Sequence, residues 1–259
     1  MEKASNTPVV FLPGMMCDAR LFNPQIARFS RDRALHLASM TQAATIEGIA
    51  KTILDTAPPK FAVVGLSMGG IVAMEMLRQA PSRIAGLCLM DTNPKAEAQA
   101  IKTAREPQIA KARAGNLRVV MRDEMKPNYL FAGPRRQDVL DLCLDMALGL
   151  GSDVFEQQSR ALQTRPDQQN TLRNADMPAL VLCGEDDRLC PVHRHELMRD
   201  LIPNSVLCVV EGAGHLPVLE QPDTTTAALR GWLRQPLVLQ RRVVMTRSLL
   251  PLRKRLLLR

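Results

Sequence analysis

Short continuous apolar runs alternate along this chain with segments whose apolar residues recur at helical spacing. Such runs, rich in Val, Ile and Leu, are typical of strands that are buried on both faces of a parallel sheet. They predict strands at residues 9–12, 35–39, 61–64, 84–90, 179–183 and 206–210. Helices are predicted between or after them, at residues 45–56, 71–77, 191–201 and 224–233. The pattern therefore predicts an α/β fold, with a mostly parallel sheet of about six strands and helices on both faces.

The alternation stops between residues 92 and 175, where charged helical segments follow one another without a strand. These segments are predicted at residues 96–114, 117–125, 137–150 and 153–162, with turns at Pro127-Asn128, Gly133-Pro134 and residues 149–151. An insertion between strands, near their carboxyl ends, is placed to form a lid over a pocket. The predicted core has two parts, residues 1–92 and 176–235. A helical lid insertion, residues 93–175, separates them, and a basic C-terminal extension, residues 236–259, follows.

The formal net charge of +8 comes almost entirely from the extension. Seven Lys and Arg residues and no acidic residue lie within 236–259, so the rest of the chain carries a formal charge of +1. We therefore expect no nucleic-acid partner for the main domain. The extension interleaves Leu and Val with pairs of basic residues. It could contact an anionic surface, or it could be a disordered addition to a fold that is already complete.

The sequence predicts a cytoplasmic protein. No apolar run approaches the ~20 residues of a membrane span, and the first residues lack the apolar centre of a signal peptide. The six cysteines form no CxxC pair, and three of them, Cys88, Cys183 and Cys208, fall inside predicted buried strands. This pattern indicates reduced structural thiols rather than disulfides or a metal site.

The third strand leads into the motif Gly65-Leu66-Ser67-Met68-Gly69, which matches G-x-S-x-G, and helix-forming residues follow it. A serine on a sharp turn between strand and helix needs neighbours without a Cβ atom, because the two elements must pack closely around it. Strand before and helix after are the context in which this motif presents a nucleophilic serine. Ser67 is therefore the candidate nucleophile.

A serine hydroxyl is a weak nucleophile unless an oriented base removes its proton. Among the four histidines, His36 lies inside a predicted strand. His193 and His195 lie two residues apart on a predicted helix, so they face different ways and are a poor metal pair. His215 follows the last strand between small residues, which leaves its imidazole free to reach Ser67. It is the candidate base.

The acid that orients the base is less clear from the residues alone. The loop after the fifth strand, which begins at Gly184, offers three carboxylates, Glu185, Asp186 and Asp187. Any of them would give the chain order serine, acid, histidine. A glycine turn after the first strand, Pro13-Gly14, can leave backbone N–H groups aimed at one spot, although an ordinary strand-to-loop turn has the same sequence.

Three motifs carry a resemblance to a known family: Gly65-Leu-Ser-Met-Gly-Gly70, Gly184-x-x-Asp187-x-x-x-Pro191 and Gly212-Ala-Gly-His215-Leu-Pro. The chain resembles the α/β-hydrolase superfamily from about residue 9 to 233, in the small esterase and carboxylesterase branch. That branch includes pimeloyl-carrier-protein methyl ester esterases and enol-lactonases. The resemblance implies an α/β-hydrolase fold, and it implies that no metal or organic cofactor is needed.

The resemblance also implies a role for each candidate residue. Ser67, Asp187 and His215 correspond to the family's catalytic triad, since its acid stands three residues after the glycine. The family's oxyanion donors correspond to the backbone N–H groups of Met15 and Met68. The serine nucleophile argues against the haloalkane dehalogenases and epoxide hydrolases of the superfamily, which use a carboxylate instead.

The chain departs from the family pattern at three points. The early turn reads Pro13-Gly14 where relatives usually have His-Gly, but the donor there is a backbone amide, so we expect the oxyanion hole to survive. The usual first two strands are absent. Asp91, at the end of the fourth strand, occupies a position that some relatives use for the acid, and it is the alternative to Asp187.

The predicted activity is hydrolysis of carboxylic esters with small to medium acyl groups. Met16, beside the early turn, and Met125, Tyr129 and Phe131, in the lid, are expected to contact substrate, although methionines also fill cores. The lid's Arg and Lys residues could bind an acidic leaving group or form a solvated face. Alternatives with the same triad are a thioesterase or lactonase, a C–C hydrolase or perhydrolase, and a non-catalytic ligand receptor.

Overall fold

A parallel sheet of seven strands runs through the computed structural model, which describes residues 7–125, 129–234 and 243–245. The strands are β1 Val9–Leu12, β2 Leu35–Leu37, β3 Phe61–Leu66, β4 Ile84–Met90, β5 Ala179–Gly184, β6 Ser205–Val210 and β7 Val243–Met245. Their order is β2-β1-β3-β4-β5-β6-β7, and every neighbouring pair is parallel. The α/β-hydrolase fold predicted from the motifs is confirmed.

All six predicted strands are present, and β7 is a strand that the apolar pattern does not predict. It pairs with β6 and lies within the extension, whose other residues are outside the described part of the chain. No described strand precedes β1. β2 ends at Leu37 and not at residue 39 as predicted, and Leu37 is exposed at the edge of the sheet.

Helices cover both faces of the sheet, as predicted. They are α1 Asn23–Phe29, α2 Ile46–Thr56, α3 Met68–Gln79, α4 Gln99–Lys111, α5 Leu117–Val119, α6 Arg136–Gln163, α7 Gln169–Arg173, α8 Val192–Leu201, α9 Pro217–Glu220 and α10 Pro222–Arg234. The predicted start of α2 is correct to one residue, since the Thr45 side chain caps it by accepting a hydrogen bond from the Gly48 N–H at 3.0 Å. Among the described helices, none is both long and apolar enough to cross a bilayer.

Alternate strand residues point to opposite faces, and each face has its own apolar core. Val63 and Leu89 pack on the side of α2, α3 and α8, whereas Val64 and Met90 pack on the side of α1 and α10. All four side chains are fully buried. Because β1, β3, β4, β5 and β6 are parallel, their carboxyl ends lie at one edge of the sheet, where the loops that carry the candidate residues begin.

The lid has a third apolar core of its own, formed around Val120, Met121 and Phe155. The predicted break at residues 149–151 is present within α6, because Gly151 has φ 86° and ψ 173° and cannot continue a helix. Residues 112–116 and 120–125 form π-helical turns on either side of α5. The predicted turn at Pro127-Asn128 lies outside the described residues.

Candidate active site

Ser67 stands on a strained turn between β3 and α3. Its φ of 56° and ψ of −116° are unusual for a residue with a side chain, and its N–H donates to the Met90 carbonyl at 2.8 Å. The flanking glycines make the turn possible. A Cβ at Gly65 would stand 2.3 Å from the Gly69 oxygen, and a Cβ at Gly69 would stand 2.0 Å from the Leu12 oxygen.

Three side chains from separate loops form a continuous chain of hydrogen bonds. The Ser67 Oγ lies 3.0 Å from His215 Nε2, and His215 Nδ1 lies 2.8 Å from Asp187 Oδ2. The His215 and Asp187 side chains are buried, whereas Ser67 remains partly exposed. The structure therefore brings together the three residues that the motifs single out, in the contact order expected of a nucleophile, a base and an orienting acid.

The second oxygen of Asp187 is held by the backbone. Oδ1 accepts hydrogen bonds from the N–H groups of Leu189 at 2.8 Å and Cys190 at 2.9 Å. Burial by itself would raise the pKa of Asp187, but the His215 imidazole and these two donors lower it to about 2. Asp187 is consequently ionised at neutral pH and accepts a hydrogen bond from the imidazole Nδ1–H.

Asp91 lies behind Asp187 and does not contact the imidazole. It is fully buried, and its Oδ1 accepts a hydrogen bond from the Gly184 N–H at 2.9 Å. Burial, and after it the negative charge of Asp187, raise the pKa of Asp91 well above its usual value. The Asp91 Oδ2 has no hydrogen-bond partner within the described residues, and a protonated Asp91 would place a hydrogen-bond donor beside the Asp187 carboxylate. The remaining candidates, Glu185 and Asp186, are exposed.

The turn after β1 lies beside the serine. A Cβ at Gly14 would stand 3.5 Å from the Ser67 Cβ. Met16 closes the turn with a φ of 56°, and its N–H donates to Gln158 Oε1 at 2.8 Å. Within the described residues, the N–H groups of Met15 and Met68 have no acceptor. Two backbone donors near Ser67 therefore remain available to a ligand.

His195 supports the serine from below. Its Nε2 accepts a hydrogen bond from the Thr92 N–H at 3.1 Å, and the Thr92 hydroxyl donates to the Ser67 carbonyl at 2.7 Å. Burial lowers the pKa of His195 to about 4, so the ring is neutral at pH 7. His193 is exposed, which agrees with the prediction that the two histidines face different ways.

One set of three possible metal ligands lies at the site. Among the described residues, Asp187, Cys190 and His215 are buried, and one potential ligand atom of each lies within 4.8 Å of the other two. Both imidazole nitrogens are already engaged, one with Asp187 and one with Ser67. Burial raises the pKa of the Cys190 thiol far above neutral, so it is protonated and a poor metal ligand. These residues do not fit a resident cation.

A cavity of about 620 Å³ opens above Ser67, which is within the ~300–1,000 Å³ typical of small-molecule sites. Met125 and Tyr129, two of the residues expected to contact substrate, line it. Met16 and Phe131 are not among its lining residues. The positive φ of Met16 directs its side chain into the lid core, and Phe131 lines a separate recess beside Glu220.

Sequence reasoning did not single out several residues that position the site. Thr92, Gln158 and Glu220 each form hydrogen bonds to the backbone next to a candidate residue, over sequence separations of up to 142 residues for Gln158. All three are buried and polar. No local sequence pattern marks them, because their partners are residues that only the tertiary structure brings close.

Comparisons with known proteins agree with this fold and site. The sequence profile described as "Alpha/beta hydrolase family" matches residues 9–229. A pimeloyl-[acyl-carrier protein] methyl ester esterase of Pectobacterium atrosepticum is 26% identical over 242 residues, covering 87% of this chain and 93% of that protein. A homologue of the same name from Aliivibrio fischeri is 24% identical over 200 residues, covering 74% of this chain and 77% of that protein.

Solved structures show the same similarity. A thermophilic esterase of Thermogutta terrifontis, with malate bound, has a TM-score of 0.80 and 28% identity, covering 88% of this chain and 89% of that one. The enol-lactonase of Burkholderia xenovorans has a TM-score of 0.78 at 19% identity, covering 90% and 93%, a similarity of fold alone. The chain belongs to the alpha/beta hydrolase family. It is an enzyme, and its relatives place it among the esterases of that family.

Proposed function

We propose that this enzyme hydrolyses carboxylic esters through a Ser67–His215–Asp187 triad and an acyl-enzyme intermediate. The observation that supports this most strongly is the hydrogen-bond chain from Ser67 Oγ to His215 Nε2 and from His215 Nδ1 to Asp187. Because the ionised Asp187 accepts a hydrogen bond from Nδ1–H, the imidazole proton stays on Nδ1 and Nε2 is left as the acceptor for the serine hydroxyl. That is the tautomer a general base requires.

In the first half-reaction, Ser67 Oγ attacks the ester carbonyl while His215 Nε2 removes its proton. Asp187 stabilises the imidazolium that forms. Collapse of the tetrahedral intermediate breaks the bond to the alcohol oxygen, which takes the proton from Nε2 and leaves as alcohol. Water then attacks the acyl-enzyme with the same base, and the carboxylic acid leaves as Ser67 regains its proton.

The tetrahedral intermediate carries a negative oxygen that needs hydrogen-bond donors. We assign this role to the backbone N–H groups of Met15 and Met68, which have no acceptor within the described part of the chain. Loss of one such donor typically raises the barrier by about 3 kcal/mol. The Met16–Gln158 hydrogen bond supports this role, because it holds the adjacent peptide of the turn.

The relatives support esters as the substrate class. Those named pimeloyl-[acyl-carrier protein] methyl ester esterase act on a carboxylic ester, as their name states. A cavity of about 620 Å³ agrees with small to medium acyl groups. We also propose a cytoplasmic location, because all six cysteines are free thiols, which favours a reducing compartment.

Hydrolysis of p-nitrophenyl esters from acetate to dodecanoate tests the proposal, with wild type compared with Ser67→Ala. We expect turnover in the wild type and a loss of at least about a thousandfold in the variant. Equal, slow rates in both proteins would contradict the proposal. Thioesters and lactones of matched chain length, measured in parallel, would then show whether the same triad acts on another acyl compound or whether the site only binds ligands.

A further inference from the structure

The cavity above Ser67 is lined by an excess of positive charge. Five cationic side chains face it, and Glu97 is the one acidic side chain among the described residues that do so. The cations are Lys95, Arg105, Arg165, Arg188 and Arg194. Hydrolysis of simple neutral esters does not require a cationic lining, so the excess of positive charge points to a negatively charged ligand.

Arg105 and Arg165 form a buried ion-pair cluster with Glu97. Arg105 Nε lies 2.6 Å from Glu97 Oε2 and its Nη2 lies 3.0 Å from Oε1, while Arg165 Nη1 lies 3.3 Å from Oε1. The Glu97 side chain is 2% exposed, and those of Arg105 and Arg165 are 14% and 11% exposed. These are therefore desolvated charges and not a solvated surface.

The cluster holds two guanidinium groups and one carboxylate, so one positive charge has no partner within it. Burial lowers the pKa of Arg165, Glu97 opposes that effect, and the charges of Arg105 and Arg194 add to it. A buried charge without a counterion is costly. A bound anion would remove this cost, because guanidinium N–H groups match the geometry of carboxylate and phosphate oxygens.

The cluster is next to the proposed oxyanion turn. Arg105 Nη1 lies 3.8 Å from the Met15 Sδ. Because sulfur is a weak acceptor, Nη1 can still donate to a ligand. Ile101 and Leu189, which also line the cavity, expose 51% and 41% of their surface. A ligand that extends from Ser67 into this cavity would therefore meet both apolar side chains and cations.

We propose that the cavity selects esters that carry a second, ionised acidic group, and that Arg105 and Arg165 bind this group. The substrate class is an ester with an aliphatic segment ending in a carboxylate or a phosphate. This inference rests on the proposed esterase function for its catalytic part. The binding part concerns the cavity alone and can be tested without turnover.

The kinetic test compares p-nitrophenyl hexanoate with the mono-p-nitrophenyl ester of adipic acid, which adds only a terminal carboxylate. We expect wild type to have the higher kcat/KM for the adipate ester. In Arg165→Gln the ratio of the two kcat/KM values should fall about tenfold, as expected for a lost hydrogen bond to a charged group. Arg230→Gln is the matched control, because Arg230 is exposed on α10 and lines neither cavity.

The binding test uses Ser67→Ala with adipate and with inorganic phosphate, measured by calorimetry. Binding of either anion that weakens about tenfold when Arg165→Gln is added supports the proposal, and the anion that binds identifies the acidic group. Absence of binding, or binding that Arg165→Gln leaves unchanged, would overturn it. If anions bind but no ester is hydrolysed, the anion subsite stands and the proposed esterase function fails.

Discussion

The Glu220 carboxylate holds the backbone on both sides of His215. Its Oε1 accepts a hydrogen bond from the Leu216 N–H at 2.8 Å, and its Oε2 accepts one from the Gly214 N–H at 3.0 Å. Oε2 also accepts the Phe131 N–H of the lid at 2.7 Å. Glu220 therefore ties the loop that carries the imidazole to the lid through backbone hydrogen bonds.

Substitution of Glu220 by Gln should slow turnover more than it weakens substrate binding. Gln has one oxygen for three N–H donors, so at least one donor loses its acceptor and the His215 loop shifts. Small misplacements of a catalytic group can cost up to about a hundredfold in rate, and we expect kcat to fall between about ten- and a hundredfold with little change in KM. Steady-state kinetics on the preferred ester measures this.

The control for Glu220→Gln is Glu211→Gln, which alters an exposed carboxylate at the end of β6. A loss of thermal stability in Glu220→Gln with kcat intact would show that Glu220 stabilises the fold without positioning the imidazole. In that case the role assigned to it would be wrong.

The two buried aspartates should respond differently to the same substitution. Asp91→Asn should keep most of the activity, because the raised pKa of Asp91 favours its neutral form and an amide of the same shape can still accept a hydrogen bond from the Gly184 N–H. Asp187→Asn removes the charge and favours the wrong imidazole tautomer, a change that costs about 10⁴-fold in serine proteases. Comparison of kcat for the two variants shows which aspartate orients the imidazole. A greater loss in Asp91→Asn would transfer the role of acid to Asp91.

Stability should fall as the pH is lowered through the range set by His195. Its pKa is about 4 in the folded protein and 6.5 in the reference state, so between these values the unfolded chain binds more protons. The stability due to the neutral ring is complete at pH 7 and is lost between about pH 6.5 and 4. A shift of this size corresponds to about 3 kcal/mol.

Urea denaturation of wild type and His195→Gln at pH 7 and at pH 4.5 isolates this effect, because other groups titrate equally in both proteins. The stability lost on acidification should be smaller in the variant by most of that amount. His193→Gln, two positions earlier on the same helix and exposed, is the matched control. Equal losses in wild type and His195→Gln would show that His195 does not titrate as described.

Two glycine substitutions should have opposite effects on stability. Gly69→Ala places a Cβ 2.0 Å from the Leu12 oxygen, a backbone atom that cannot move without shifting β1, and we expect a loss of about 3 kcal/mol or more. Gly231→Ala, within α10, meets nothing within 4 Å and should gain about 0.5–1 kcal/mol. Chemical denaturation measures both. A tolerated Gly69→Ala would mean that the turn is less tightly packed than described.

Local sequence was sufficient to predict the elements that present the triad. The glycines around Ser67 are required by the turn itself, and the apolar runs before Asp187 and His215 are strands that end where the candidate loops begin. Because parallel strands place their carboxyl ends at one edge of the sheet, residues far apart in sequence could be predicted to meet there. The two helical segments at residues 137–150 and 153–162 were likewise predictable, since Gly151 separates them.

The sequence by itself therefore determined which segments form the core strands, the serine turn and the loops that carry the imidazole and its acid, because these depend on backbone conformation and on contacts between neighbouring residues. Only the tertiary structure decided which side chains the cavity contains. The Met16 side chain lies in the lid core, and Arg105 and Arg165 form ion pairs with Glu97. Such contacts depend on how the lid packs against the sheet, and burial then sets which of the assembled groups keep their charge.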